Sequence, residues 1–273
     1  MSAIKSLPLV FQTFGDSQKP PLIILHGFFA SARNWRSVAK RLSDQFYVYV
    51  LDQRNHGESP HADVMDYPAM AQDLLFFMDQ HSLLKANILG HSMGGKVAMW
   101  FALHHPQRLL ELIIVDIAPK TYTHSFDATV DALQQIPLEQ IRMRKEADNY
   151  LQVTIKDSNF RQFLLQNLVL DKGHYRWRIN LSVFFRCSDN IIAFPKIAPG
   201  RRWAKRVLFL GGGNSAYIDS PTILKLFPSA IIDVIAGAGH WLHAEQPDVF
   251  CERVLGYLEQ DLLQRSERIE DSF

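Results

Sequence analysis

Residues 87–99 read NILGHSMGGKVAM, and the meaning of this stretch decides the fold. The apolar run ANIL leads into Gly90, and GKVAMWFALHH leads out as a helix-like segment, so Ser92 stands at a predicted strand-to-helix turn with Gly90 and Gly94 two positions to either side. A serine on so sharp a turn needs small neighbours, because its own backbone is strained and its flanks press on strand and helix. The start of the following helix also aims backbone N–H groups at developing negative charge. A glycine-rich connector would need none of this, and the spacing therefore marks Ser92 as a candidate nucleophile.

Working outward, PLIIL (21–25), FYVYVL (46–51), ANILG (86–90) and LIIVDI (112–117) are short, nearly uninterrupted apolar runs that read as buried strands. Helices are expected between them at roughly 34–42, 67–82 and 93–105. This β-α-β alternation specifies an α/β class with a mostly parallel central sheet and helices on both faces. After Pro119 the pattern breaks into helical stretches, DATVDALQQI, EQIRMRKEADNYLQ and NFRQFLLQNLVL, with no strong strand among them. It resumes with RVLFLG (206–211), a helix near 221–227, AIIDVIAG (230–237) and a closing helix around 246–263. The expected organisation is a core of residues 1–118 and 204–273 interrupted by a helical lobe at 119–203.

The bulk properties are bland. The 273 residues are 47% apolar and 21% charged, which suits one globular domain with a sizeable core. A formal net charge of +1 makes no electrostatic case for nucleic acid. Cys187 and Cys251 lack metal-type spacing; one disulfide is conceivable, and buried free thiols in a reducing cytosol are the expectation. The N-terminal MSAIKSLPLVFQTFGDSQKP has no signal-peptide core, no run is long enough to span a bilayer, and the tail LLQRSERIEDSF is expected to fray from a helix end. A cytoplasmic protein, monomeric or homodimeric, with no metal and no cofactor is the resulting expectation.

A serine hydroxyl is a weak nucleophile until a base takes its proton. Among 11 histidines, His240 is the best placed, because AGAGH follows a predicted strand and exposes it at the carboxyl edge, where α/β sheets gather their reactive groups. His243 sits close by at the start of the last helix. Two amide donors are needed near the nucleophile for an oxyanion. Met93, just past Ser92, supplies one, and the turn in LHGFFASARNW places the amide of Phe28 for the other.

Together LHGFFAS, DQRNHGES, GHSMGG and GAGHWLHAEQPD occur in the order and spacing of the α/β-hydrolase superfamily, which this chain resembles over nearly its whole length. More narrowly, DQRNHGESP, YPAMAQDL, GHSMGGKVAM, VDIAPK and GGGNSAYID…GAGHWLHAE resemble the YbfF/ABHD11-type branch of small serine esterases. The resemblance implies an α/β-hydrolase fold whose inserted helical cap is the lobe at 119–203, and a nucleophile, acid, histidine order. It also implies that Asp52, Arg54 and His56 brace a loop rather than do chemistry.

The acid departs from the superfamily pattern. Ser215, in FLGGGNSAYID, stands where most members keep Asp. Two alternatives remain: Asp116, which closes the apolar run LIIVD, and Asp219, which precedes a helix start. Asp116 is favoured, since a carboxylate beside a buried strand needs a partner such as His240, whereas Asp219 suits a helix N-cap. The branch resembled is one that uses the earlier acid. Gly213, Asn214 and Ser215 are then expected to form a tight loop beneath His240.

In the cap, Phe126, Phe160, Phe163, Leu164, Tyr175, Trp177, Phe184 and Phe185 are candidates for an acyl channel or, more commonly, packing. Phe29, Tyr175, Trp177, Arg178 and Trp241 are the candidate substrate contacts, with Arg176 and Arg178 able to meet a substrate anion. The expected partner is a small acyl ester, short- to medium-chain, with acyl thioesters such as acyl-CoA as a further class. A non-catalytic binding protein, a perhydrolase and a C–C hydrolase are the competing functions, since each can keep serine at this turn.

Overall fold

The computed structural model describes residues 5–270, with side chains described through residue 259. Seven strands form one sheet: β1 (Phe11–Phe14), β2 (Pro21–Leu25), β3 (Tyr47–Leu51), β4 (Ala86–His91), β5 (Leu109–Val115), β8 (Val207–Gly212) and β9 (Ala230–Ile235). Their order is β1-β3-β2-β4-β5-β8-β9. β1 runs antiparallel to β3 at one edge, and the other pairings are parallel. Successive strand residues point to opposite faces, and the core divides accordingly. Leu22, Ile24, Val48 and Val50 pack beneath α1 (Arg36–Leu42) and α10 (Pro247–Glu270), whereas Ile23, Leu25 and Ile88 pack against α2 (Tyr67–Gln80) and α3 (Met93–His104). Burial on both faces is why these strands read as unbroken apolar runs.

The segment between β5 and β8 carries α4 (Asp127–Gln134), α5 (Arg144–Leu151), α6 (Ser158–Leu165) and α7 (Leu181–Ile192). Val130, Leu133, Leu164 and Phe184 bury against the α2–α3 side of the core. One expectation is corrected here: the lobe is not purely helical. The end of the predicted helix NFRQFLLQNLVL becomes β6 (Leu168–Asp171), which pairs antiparallel with β7 (His174–Trp177). Lys172 and Gly173, both at positive φ, make the turn, and a two-residue turn of that conformation favours a hairpin over a helical continuation.

The remaining differences lie at element ends. The first helix opens as a 3-10 turn over Ala32–Trp35. β5 stops at Val115, one residue before Asp116 leaves the strand at φ +49°. His243 belongs to a short separate helix, α9 (Leu242–Glu245), and Pro247 starts α10 after it. α8 (Ser220–Leu226) begins after Asp219, whose carboxylate accepts the Thr222 N–H at 3.1 Å, as an N-cap does. Both cysteines are free and buried. No helix among the described residues is long and apolar enough to cross a membrane. The frayed tail expected at 262–273 lies outside the described side chains.

Candidate active site

Ser92 sits between the end of β4 and the first residue of α3, with φ +52° and ψ −117°. This is strained backbone for a residue with a Cβ. The neighbours hold it there: the Ser92 N–H donates to the Val115 carbonyl at 3.0 Å, and the Lys96 N–H closes the first helical turn on the Ser92 carbonyl at 3.0 Å. The glycines are required by space. A Cβ on Gly90 would strike the Gly94 backbone, and one on Gly94 would strike the Leu25 carbonyl. β4, α3 and β2 thus meet at a point that admits no side chain.

The strand ends converge on this turn. His240 follows β9, and its Nε2 lies 3.1 Å from Ser92 Oγ while its Nδ1 lies 2.7 Å from Asp116 Oδ2. Asp116 is fully buried, and its carboxylate accepts three donors: Nδ1–H of His240, the Gly212 N–H at 3.0 Å and the Ser215 hydroxyl at 2.5 Å. Three donors offset the cost of taking a carboxylate out of water. Asp219 is committed elsewhere: Lys120 lies 2.7 Å from it, and that bond with those to Thr222 holds its carboxyl down at about 2.

His240 is held from several sides. Nε2–H of His91 donates to the His240 carbonyl at 2.8 Å. Burial, with His240 and His243 close by, pushes His91 well below the ordinary histidine value, so it stays neutral. Glu245 accepts the amides of Gly239 at 2.6 Å and Trp241 at 3.3 Å, one on each side of His240. His243 stacks on Trp35 at 4.1 Å, and burial lowers its pKa to about 3.

A cavity of about 780 Å³ opens over Ser92. Phe28, Phe29, Ile117, Phe126, Ile191 and Ile192 give it an apolar interior. Its exposed lining residues, Asp157, Asn159, Gln166, Ala244 and Glu245, mark the mouth, beside Phe160, Phe163 and Trp241. Met93 lines the cavity as the first residue of α3, ahead of the helical hydrogen-bond ladder. The Phe28 N–H has no acceptor among the described residues.

Of the predicted substrate contacts, the structure brings Phe29 and Trp241 to the cavity and leaves Tyr175, Trp177 and Arg178 away from its lining. The hairpin explains this. Tyr175 and Trp177 pack on the core from β7, and Arg178 turns to Glu58 at 3.0 Å while its carbonyl accepts Nε2–H of His61. Among the apolar cap candidates, Phe126, Phe160 and Phe163 reach the cavity, Leu164 and Phe184 are core, and Phe185 faces solvent.

Asp52 and Arg54 brace the neighbouring loop. Asp52 accepts the Ala32 and Glu58 amides at 2.7 and 2.9 Å, and Arg54 pairs with buried Asp73 at 2.6 Å. His56 is fully buried, with Nδ1–H on the Arg54 carbonyl at 2.9 Å.

Sequence reasoning missed Lys96. It is 1% exposed, lines the cavity one helical turn past Ser92, and donates to the carbonyls of Ile191, Ile192 and Ala193 at 3.3, 2.6 and 2.9 Å. Its ammonium also lies 4.9 Å from the centre of the Tyr122 ring. Burial pushes this lysine down to about 7. The signal was present as one cation inside the apolar helix GKVAMWFAL. Tyr217, whose ring lies 4.3 Å from His240, carried no comparable signal.

With this geometry, likeness to known proteins becomes informative. A family model for the alpha/beta hydrolase fold matches residues 20–247. The sn-1-specific diacylglycerol lipase ABHD11 of Xenopus laevis is 40% identical, covering 90% of this chain and 81% of that protein. Esterase YbfF of Escherichia coli (strain K12) is 36% identical, covering 87% of this chain and 92% of that one. The solved structure of a marine microorganism esterase superposes with a TM-score of 0.88 at 42% identity, covering 92% of this chain and 99% of that chain. The chain therefore belongs to the alpha/beta hydrolase fold family, as an esterase/lipase-type hydrolase acting on acyl esters.

Proposed function

We propose that the protein hydrolyses short- to medium-chain acyl esters of uncharged alcohols through a Ser92–His240–Asp116 triad. The observation that carries this is the unbroken hydrogen-bond chain from Ser92 Oγ through His240 to Asp116, opening on an apolar cavity of about 780 Å³. In the resting tautomer Nδ1–H of His240 donates to Asp116, leaving Nε2 to take the Ser92 proton as Oγ attacks the acyl carbon. The Phe28 and Met93 amides receive the resulting oxyanion. His240 then protonates the departing alcohol, and a water deprotonated by the same nitrogen releases the acid and restores Ser92.

The lining favours esters over CoA thioesters. Lys96 is the one cation among the described lining residues, and all three of its N–H donors are occupied. Asp157 and Glu245 place carboxylates at the mouth, opposed to a polyphosphate leaving group. The test is a panel of p-nitrophenyl acyl esters and acyl-CoAs of increasing chain length, with Ser92→Ala as control. Turnover of esters by the wild type alone, with kcat/KM for acyl-CoA at least about tenfold lower, supports the reading. Equal turnover by Ser92→Ala removes the triad. Labelling by a fluorophosphonate without release of ester product leaves a binding protein.

A further inference from the structure

The segment Arg142–Lys156 of the cap combines exposed apolar side chains with several unpaired cations. Met143, Tyr150 and Val153 are exposed by 55%, 48% and 76%. Their spacing of seven and three runs along one side of α5 and the turn after it. Interleaved with them are the exposed cations Arg142, Arg144, Lys145 and Lys156, none of which has a carboxylate partner among the described residues. Arg142, Arg144 and Lys156 donate only to backbone carbonyls, of Glu139, Leu168 and Val153 among others, which leaves their charge uncompensated.

The acids of the segment are taken. Glu146 caps the amides of Arg142 and Met143 at 2.6 and 3.3 Å, and Asp148 holds Arg161 at 2.8 Å. The bias extends over the lobe: residues 119–203 carry thirteen Lys and Arg against eight Asp and Glu, a net +5, leaving −4 on the rest of a chain whose total is +1. The segment also leads directly into the cavity mouth at Asp157, Asn159 and Phe160.

We propose that this edge of the cap docks on an anionic lipid surface, with Met143, Tyr150 and Val153 entering the headgroup layer and the four cations meeting lipid phosphates and carboxylates. Apolar side chains flanked by unpaired cations are the signature of interfacial binding, in which buried apolar area and attraction to anionic lipid add. Docking by this edge sets the acidic mouth beside the surface rather than against it, so that an acyl ester leaving the lipid has a short apolar path past Phe160 and Phe163 to Ser92. This use of the surface rests on the hydrolase reading; the docking does not.

The test is sedimentation of the full chain with vesicles of pure phosphatidylcholine and of phosphatidylcholine with about a quarter phosphatidylserine, at low and high salt. Wild type and Ser92→Ala are expected to bind the anionic vesicles alike and to be released by salt. Lys145→Glu with Lys156→Glu should weaken that binding at least about 25-fold, at roughly fivefold per cation removed. Val153→Ser should weaken it several-fold, and both variants should hydrolyse a water-soluble short-chain ester at the wild-type rate. Three results would overturn the proposal. These are wild-type binding that ignores the anionic lipid or is absent, variants that bind as the wild type does, and a wild-type dimer that the same variants convert to monomer. The last would mean that a second copy covers this face. Loss of ester turnover in Ser92→Ala with vesicle binding retained separates the two readings.

Discussion

The Ser215 hydroxyl donates to Asp116 Oδ2 at 2.5 Å, so the residue standing where most of the superfamily keeps its acid is bound to the carboxylate just past the end of β5, the acid of the proposed triad. The same oxygen accepts Nδ1–H of His240 at 2.7 Å. Serine at position 215 is therefore a hydrogen-bond partner of the Asp116 carboxylate.

From this arrangement Asp116→Asn should lower kcat on p-nitrophenyl esters by about 1,000- to 10,000-fold, because an amide fails to hold the imidazole tautomer or to stabilise its charged form. Asp219→Asn should change kcat less than about threefold, since Asp219 caps α8 and pairs with Lys120. Steady-state kinetics on the two variants decide it, and the reverse ranking moves the acid to the later loop.

Ser215 itself gives a sharper case. Ser215→Ala removes one donor from a fully buried carboxylate, at a cost of about 1–3 kcal/mol. Ser215→Asp rebuilds the usual superfamily residue yet sets a second carboxylate against Asp116. Like charges at that range raise one carboxyl's pKa. The restored aspartate should therefore be the worse enzyme below neutral pH, read as a kcat/KM profile whose acidic limb moves upward relative to Ser215→Ala.

Much of this was legible in residues 86–117 and 206–240, because both faces of the sheet are covered and the strands therefore stand out as apolar runs ended by Ser92, Asp116 and His240. The hairpin β6–β7 was not legible, since its turn is Lys172–Gly173 and its apolar residues continue a helical pattern from α6. That miss also misplaced Tyr175, Trp177 and Arg178, whose aromatic and cationic character resembles a binding surface until the chain reverses. Tyr217 was missed for another reason: its contact with His240 depends on how two loops cross, which no spacing encodes.

Four histidines, His26, His56, His91 and His243, are buried, and burial lowers each below the ordinary value of 6.5. Below pH 6.5 the unfolded chain binds protons at these sites that the folded chain refuses, so stability is present above that pH and is lost as pH falls. For His243 the loss continues down to about 3, where the folded state also protonates. Each such group contributes a slope approaching about 1.4 kcal/mol per pH unit once its unfolded form is protonated. Denaturant midpoints should fall steadily from pH 7 to 5, and His243→Phe, which keeps a ring to stack on Trp35, should flatten that fall. An unchanged slope in the variant would assign the acid lability elsewhere.

Lys96 ties α3 to the end of α7 across the cavity. It leaves α3 one turn after Ser92 and places its three N–H donors on the carbonyls that end α7, while Tyr67 donates its hydroxyl to the Ile191 carbonyl at 2.5 Å. A cation at a helix C-terminus is favourable there, and Ile191 and Ile192 are themselves cavity lining. The tie therefore fixes this wall of the cavity relative to Ser92. Lys96→Met should cost about 3 kcal/mol by orphaning buried carbonyls, seen as a lower Tm. Beyond stability, it should raise KM for medium-chain esters about tenfold or more while leaving kcat on an acetate ester within about threefold, because only the longer chain touches the wall that has moved. Lys96→Arg should not restore the profile, since a planar guanidinium does not converge three donors on adjacent carbonyls as an ammonium does. A drop in Tm with KM unchanged across chain lengths would reduce Lys96 to a fold contact.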